Sequence, residues 1–343
     1  MKIKQESFLS ILGMPQTRFV IPLFQRVYSW EARQCDELWD DVMRAGRSGL
    51  SHFAGVLLFC PDYEDWGPCG RLSVIDGQQR LTTVTLLLLA LRDYLCSQDQ
   101  RETGGDAVPT ADQILATYLR VFQVEDAPVR LQLSFLDRVT LECLVLGRPL
   151  PEDHSKRLVE NRDLFRSRMD APSFDPEVLW RGLQSLEVVS ALLDGDDSPQ
   201  LIFESLNSKG KALSAADLVR NSLLFSLDSQ QSLCLYQDFW RPMEQDLADR
   251  GIPDGMESLL RAWLASRYRD SYVKNESDVF TVLKKHLERK HKGSHERLLR
   301  ELMAYERRYA ADQDFRSKED KNAGNWLAGK SAGLISQRKL FGD

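Results

Sequence analysis

The sequence predicts an α+β fold in which a small α/β core is followed by a large, mostly helical body. Three observations carry that prediction. Apolar runs of strand length recur within the first hundred residues, helical segments separate them, and from residue 113 onward helical periodicity dominates. No internal repeat or low-complexity tract interrupts the pattern. Length predicts about two domains, divided here as residues 1–230 and 231–343.

The start is mixed, and Phe19–Phe24 then reads as a strand with Pro22 at an edge, since proline cannot donate to a ladder. Ser29 opens a helix that carries Cys35, Leu38, Trp39, Val42 and Met43 on one apolar face. Residues 53–59 read as a buried strand, Pro61–Gly70 as a turn-rich loop and Leu72–Ile75 as a second strand, which Asp76-Gly77 breaks. A helix begins near Thr82 and is apolar nearly all round, so it is expected to be buried. A polar loop over 97–112 precedes helical patterns at 113–122, 134–146, 155–169, 177–193, 214–227 and most of 231–310.

Composition narrows the function. Val84–Leu91, the longest apolar run, is far too short to span a bilayer, and the start of the chain lacks a secretory core. The expectation is a cytoplasmic protein with no membrane partner. The six cysteines form no Cys-x-x-Cys pair; Cys60 and Cys69 can face each other across a hairpin, but thiols are expected in a reducing compartment. A net charge of −6 argues against a surface coated for indiscriminate nucleic-acid binding. Lys284–Arg300 is a basic segment that reads as a solvated helix face, and its His286, His291 and His295 read as surface residues rather than a zinc site.

Three segments carry chemistry. The first in strength is Val74–Thr83, a glycine turn between a strand and a buried helix. Helix N-termini attract anions through unpaired N–H groups. Gly77 allows close backbone approach, Arg80 offers a planar fork of donors for phosphate, and Thr82 and Thr83 can cap the helix or hold a phosphate. Gln78 and Gln79 can orient an attacking water, while Asp76 can ligate magnesium or act as a base. The plainer alternative is a tight turn with a threonine cap and an ion-paired Arg80; the P-loop pattern is absent. The second segment, Ile21–Trp30, concentrates Gln25, Arg26, Tyr28 and Trp30, residue types that suit a base or a phosphodiester, or else anchor a core. The third, Ile202–Asn221, combines a turn at Asn207–Gly210, a near capping box of Ser214 and Asp217, and Asn221 in apolar surroundings, where an amide needs partners.

Taken in order, these segments resemble the signature of the ParB-like domain found at the front of GmrSD-type type IV restriction enzymes, a group that includes the SspE phosphorothioation-dependent restriction protein. The matching pieces are Ile21–Trp30, Ile75–Thr83 and Phe203–Asn221. The resemblance implies a ParB/sulfiredoxin-like core with helical insertions and hydrolysis of GTP or ATP, with magnesium, at Asp76, Gly77, Gln78, Gln79 and Arg80. It implies recognition of modified double-stranded DNA by Gln25, Arg26, Tyr28 and Trp30, and a far wall of Asn207, Asp217 and Asn221 joining Thr82 and Thr83 around the nucleotide. Relatives often carry a later HNH-type nuclease domain, for which no His-Asn-His constellation exists in this sequence. A nuclease domain or subunit is therefore an expected partner, and a homo-oligomer is compatible with the pattern. Two rival readings stay open: a nuclease or nickase that cuts DNA itself, and a module that grips DNA phosphate without turnover.

Overall fold

The structure, a computed structural model, describes residues 1–23, 25–61, 69–98, 107–122, 127–194, 214–224, 227, 229–252, 254–268, 276–290 and 294–311. It is mixed α/β, as the sequence predicts. The chain divides into two units, Met1–Leu206 and Asn207–Asp343.

The first unit is built on a six-stranded sheet in the order β1-β6-β3-β4-β2-β5. Its elements are β1 (Lys2–Ser7), α1 (Phe8–Leu12), β2 (Thr17–Val20), α2 (Ala32–Ser48), β3 (His52–Pro61), β4 (Gly70–Asp76), α3 (Gln78–Gln98), α4 (Ala111–Ile114), β5 (Leu131–Gln132), α5 (Phe135–Leu146), α6 (Lys156–Met169), α7 (Pro176–Gln184) and β6 (Leu186–Leu192). A π-helical turn, Leu115–Leu119, continues α4. The sheet is mixed: β1 and β4 run antiparallel to β6 and β3, while β3–β6, β4–β2 and β2–β5 are parallel.

Several expectations shift at the ends of elements. The strand expected over Phe19–Phe24 is β2, which stops at Val20, and it lies between β4 and β5 rather than at an edge. Pro22 falls outside the ladder, where its missing N–H costs nothing. The helix expected from Ser29 starts at Ala32, because Glu31 and Gln34 form a reciprocal capping box; its predicted apolar face is buried in full. The helix expected over 177–193 is instead α7 followed by the strand β6. Leu179, Leu183 and Leu186 keep a helical i, i+4, i+7 spacing across the junction and hide the change of period. From Leu186 to Ser190, buried and half-buried residues alternate, as a sheet requires. Strand β1 is polar and mostly exposed, and pairs with β6 as an edge strand whose Lys2 and Lys4 discourage further pairing.

Helix α3 sits at the centre of this unit. Every residue from Gln78 to Leu91 except Arg80 is buried, so the helix shows almost no amphipathic bias. Among the described residues no helix is long and apolar enough to cross a membrane.

The second unit comprises α8 (Ala215–Leu224), α9 (Ser229–Leu235), a π-helical turn at Tyr236–Trp240, α10 (Arg241–Asp249), α11 (Gly255–Ala265), α12 (Glu276–Lys290) and a last helix at 295–311. Its core includes Trp240, Leu259, Trp263, Leu298 and Leu302, all fully buried.

Candidate functional site

Strand β4 delivers Asp76 to the N-terminus of α3 through Gly77. The first helical bond runs from Leu81 N to Gly77 O (2.9 Å), so the backbone N–H groups of Gln78, Gln79 and Arg80 have no partner within the helix. Helix α3 therefore begins a turn earlier than expected. Thr82 and Thr83 lie inside it, fully buried, and neither caps it.

Gly77 has φ of 90°, and a Cβ there would lie 2.3 Å from Leu57 Cδ2 and 3.1 Å from Val56 O. The glycine is needed for the packing of the turn against β3. Gly55, with φ of 105°, plays a matching part: a Cβ there would sit 2.6 Å from Arg80 Nη1. The guanidinium lies against this bare stretch of β3 and donates to Val56 O at 2.8 Å. That is the one hydrogen bond of Arg80 among the described residues. The half-buried Asp76 carboxylate makes no hydrogen bond or ion pair among them.

The first two motifs meet. Gln79 Oε1 accepts from Ser29 N (2.8 Å) and Trp30 N (3.2 Å), and its Nε2 donates to Val27 O (3.3 Å). Gln78 Nε2 donates to Arg26 O at 2.7 Å, and Gln25 Nε2 donates to Val74 O at 2.6 Å. Three glutamine amides thus lace the segment after β2 to β4 and α3. Gln25, Gln78 and Gln79 are each 7% exposed. In this arrangement Gln78 and Gln79 hold the first motif in place.

Tyr28 is 3% exposed and sits in a directional chain of bonds. The Thr83 hydroxyl donates to Gln79 O (2.8 Å), so its oxygen accepts from Tyr28 Oη (2.8 Å), which in turn accepts from Asn161 Nδ2 (3.0 Å). Burial raises the Tyr28 pKa, which keeps the phenol protonated for this role. Asn161 Nδ2 also donates to Trp30 O at 2.8 Å, and Asp137 accepts from Tyr28 N at 2.7 Å. Burial raises the Asp137 pKa, and bonds from Ser155 and Tyr28 oppose that shift. Gln25 and Tyr28 are buried, whereas Arg26 and Trp30 are half-buried. Asn161 and Asp137 were not legible as site residues. They lie more than a hundred residues from Tyr28, on α6 and α5, and no local motif marks them.

Beside Arg80 opens a cleft of about 290 Å³ between α2 and β3. Gln34, Glu37 and Asp41 line it from one face of α2, His52 and Phe53 from β3, and Trp30 and Arg80 close it. His52 Nε2 lies 3.3 Å from Asp41 Oδ2, while Arg44 pairs with the other Asp41 oxygen. Burial, and then Arg44, lowers the His52 pKa, so the imidazole is neutral near pH 7.

Residues 8–224 match the family described as the GmrSD restriction endonuclease, N-terminal domain. The chain belongs to this family. Membership gives it a role in DNA restriction and defence, and no curated protein matches the chain.

The last part of the GmrSD match reaches α8, in the second unit. Asn207 lies outside the described residues. Asp217 N donates to Ser214 Oγ (3.1 Å) and Ser214 N to Asp217 Oδ2 (3.4 Å), which is the reciprocal cap expected from sequence. The other Asp217 oxygen accepts from Arg220 at 2.6 Å, and Arg220 also binds Glu244 at 2.9 Å. Asp217 is thus engaged in a largely buried ion-pair network. Asn221 is 6% exposed, and its Oδ1 has no partner among the described residues. His286 departs from its expected surface place. It is buried, takes up a hydrogen bond with Tyr268 Oη at 2.7 Å and packs edge-on to Trp263 at 4.8 Å. His291 lies outside the described residues. None of the six cysteines is in a disulfide, Cys60 and Cys69 included. Among the described residues no three His, Cys, Asp or Glu side chains group as a metal site.

Proposed function

We propose that this GmrSD domain hydrolyses a nucleoside triphosphate, GTP or ATP, at the Asp76–Arg80 turn, and that modified double-stranded DNA stimulates the hydrolysis to license cleavage by a nuclease domain or subunit. One observation carries the reading: Asp76 and Arg80, the charged residues of the turn, have no ion pair among the described residues, although they flank a helix N-terminus. A structural turn would be expected to neutralise its charges within the fold. Here the carboxylate is unengaged and the guanidinium keeps donors to spare, beside three N–H groups that favour an anion.

The phosphates belong on the N–H groups of Gln78, Gln79 and Arg80, with Arg80 completing the cradle by charge-assisted bonds. Asp76 suits magnesium: a single hard carboxylate is what this ion usually takes from a protein, the rest of its shell coming from phosphates and water. When bound, magnesium would neutralise charge on the phosphates. Gln78 and Gln79 act by fixing the first motif against the turn. DNA sensing is assigned to Arg26 and Trp30 at the surface of that motif, with Gln25 and Tyr28 holding it from beneath.

The test measures nucleotide release and plasmid cleavage by the purified chain. Arg80→Ala is expected to weaken nucleotide affinity by roughly 10-fold or more, the worth of a charge-assisted bond, while the far-ultraviolet dichroism stays that of wild type. Turnover without plasmid cutting supports the divided labour, and stimulation by modified but not plain duplex supports the sensor. Wild-type affinity in a folded Arg80→Ala chain would overturn the phosphate site. Plasmid cleavage abolished by Asp76→Ala would make the turn a nuclease centre instead.

A further inference from the structure

The chain carries a net charge of −6, yet Lys284–Arg308 holds nine lysines and arginines against four glutamates. The last helix, 295–311, gathers four of those arginines on one face. Its inner side buries Leu298, Leu299, Leu302 and Ala310, and Tyr305 Oη donates to Ala262 O at 3.1 Å, so the helix is fixed on the second unit. Arg297, Arg300, Ala304, Arg307 and Arg308 are exposed. Steps of three or four residues keep such positions on one side of a helix. The acids of this helix are already engaged or buried: Glu296 accepts from Arg300 at 2.6 Å, Glu301 pairs with Arg267, and Glu306 is 5% exposed. The guanidinium groups of Arg297, Arg307 and Arg308 form no ion pair or hydrogen bond among the described residues. Like charges on one face repel one another, and nothing on this helix offsets these three.

We propose that this arginine stripe binds the sugar-phosphate backbone of duplex DNA and reads neither sequence nor modification. The inference draws on the family's role in DNA restriction and is independent of the nucleotide site. A guanidinium offers phosphate a planar fork of donors and stays charged at any physiological pH. From Arg297 to Arg308 the helix rises about 16 Å. One strand of a duplex presents about five phosphates over that length, so three or four arginines match a run of them. An acidic chain repels DNA over most of its surface, and a local stripe of cations then decides where the duplex approaches. Backbone contacts hold a duplex in place, while base contacts discriminate. The second unit therefore supplies affinity, and discrimination is left to the first.

The experiment is a fluorescence-anisotropy titration of the full chain against a labelled plain duplex and a phosphorothioate duplex of the same sequence, over a series of salt concentrations. The variant combines Arg297→Ala, Arg307→Ala and Arg308→Ala. A control combines Lys2→Ala, Lys4→Ala and Arg47→Ala, which removes equal charge from exposed positions of the first unit. Loss of three phosphate contacts predicts a slope of log affinity against log salt that is shallower by about 2.7, and an affinity roughly 100-fold lower at about 0.15 M salt. Both duplexes should lose alike, so the ratio between them stays that of wild type. The control should keep most of the affinity and the slope. Arg297→Ala alone should lower the slope by about 0.9, which keeps the test open if the triple variant fails to fold. A folded triple variant with the wild-type slope, or a control that loses as much, overturns the assignment. Loss confined to the phosphorothioate duplex would make the stripe a reader of modification and overturns it too. So does a wild-type chain that binds phosphatidylserine vesicles in place of duplex. The nucleotide site stands or falls apart from all of these, because its readout is nucleotide release.

Discussion

Replacing Gly77 with alanine tests whether the turn is set by protein packing. Two costs combine. A φ of 90° lies in the region that a Cβ disfavours, worth about 1–2 kcal/mol. The new methyl would also approach Leu57 Cδ2 to 2.3 Å, which forces Leu57 or β3 to move, and overpacking of this kind costs about 1–3 kcal/mol. The sum is about 2–5 kcal/mol. Because the chain has two units, the readout should be local: hydrogen exchange of α3 amides, which reports unfolding of the first unit. The expected acceleration is roughly 30-fold to several thousand-fold. Leu57→Ala removes the methyl that clashes, so in the double variant the two effects should fall short of additivity by about 1–3 kcal/mol. A Gly77→Ala chain whose exchange matches wild type, or strict additivity with Leu57→Ala, would refute the packing argument and return Gly77 to a role in ligand approach alone.

Two further outcomes follow from the same geometry. Asn161→Leu removes the donor to both Tyr28 Oη and Trp30 O, and should destabilise the first unit by about 1–3 kcal/mol; it should also change the emission of Trp30, isolated by subtracting the Trp30→Phe spectrum, and unchanged exchange and emission would mean that this amide positions nothing. In the second unit, burial and then Asp246 push the Glu306 pKa up to about 7 from 4.5. The folded state therefore holds the proton more tightly than the unfolded state, so this group's stabilising contribution is complete below 4.5 and disappears as pH rises through about 7. Thermal melts should show the second unit less stable at pH 8 than at pH 5, and Glu306→Gln should flatten that dependence; an unaltered slope would show that Glu306 is not its source.

Some of this protein could be read from the chain because the signal is local. The all-round apolar pattern after Arg80 fixes α3 as buried, since a helix without a polar face has nowhere else to go. The face of α2, the break at Asp76-Gly77 and the cap between Ser214 and Asp217 depend on residues within a turn or two of each other, and all are as the sequence predicts. The three motifs in order also identified the family, which the match over 8–224 establishes. What sequence could not supply is which polar groups face inward. The sequence reads Gln78 and Gln79 as groups that orient a water, and it gives no sign of their bonds to Arg26 O, Val27 O, Ser29 N and Trp30 N, which tie them to the first motif. The change from α7 to β6 was hidden because helical spacing runs across the junction, and pairing with β1 and β3 decides it. Asn161 and Asp137 join the first motif through bonds from α6 and α5, and Asp41 and His52 line the same cleft as Trp30 and Arg80. A chain encodes periodicity and turns over a few residues, but the hydrogen-bond partner of a buried amide lies wherever the fold brings it, and only the tertiary structure settles that.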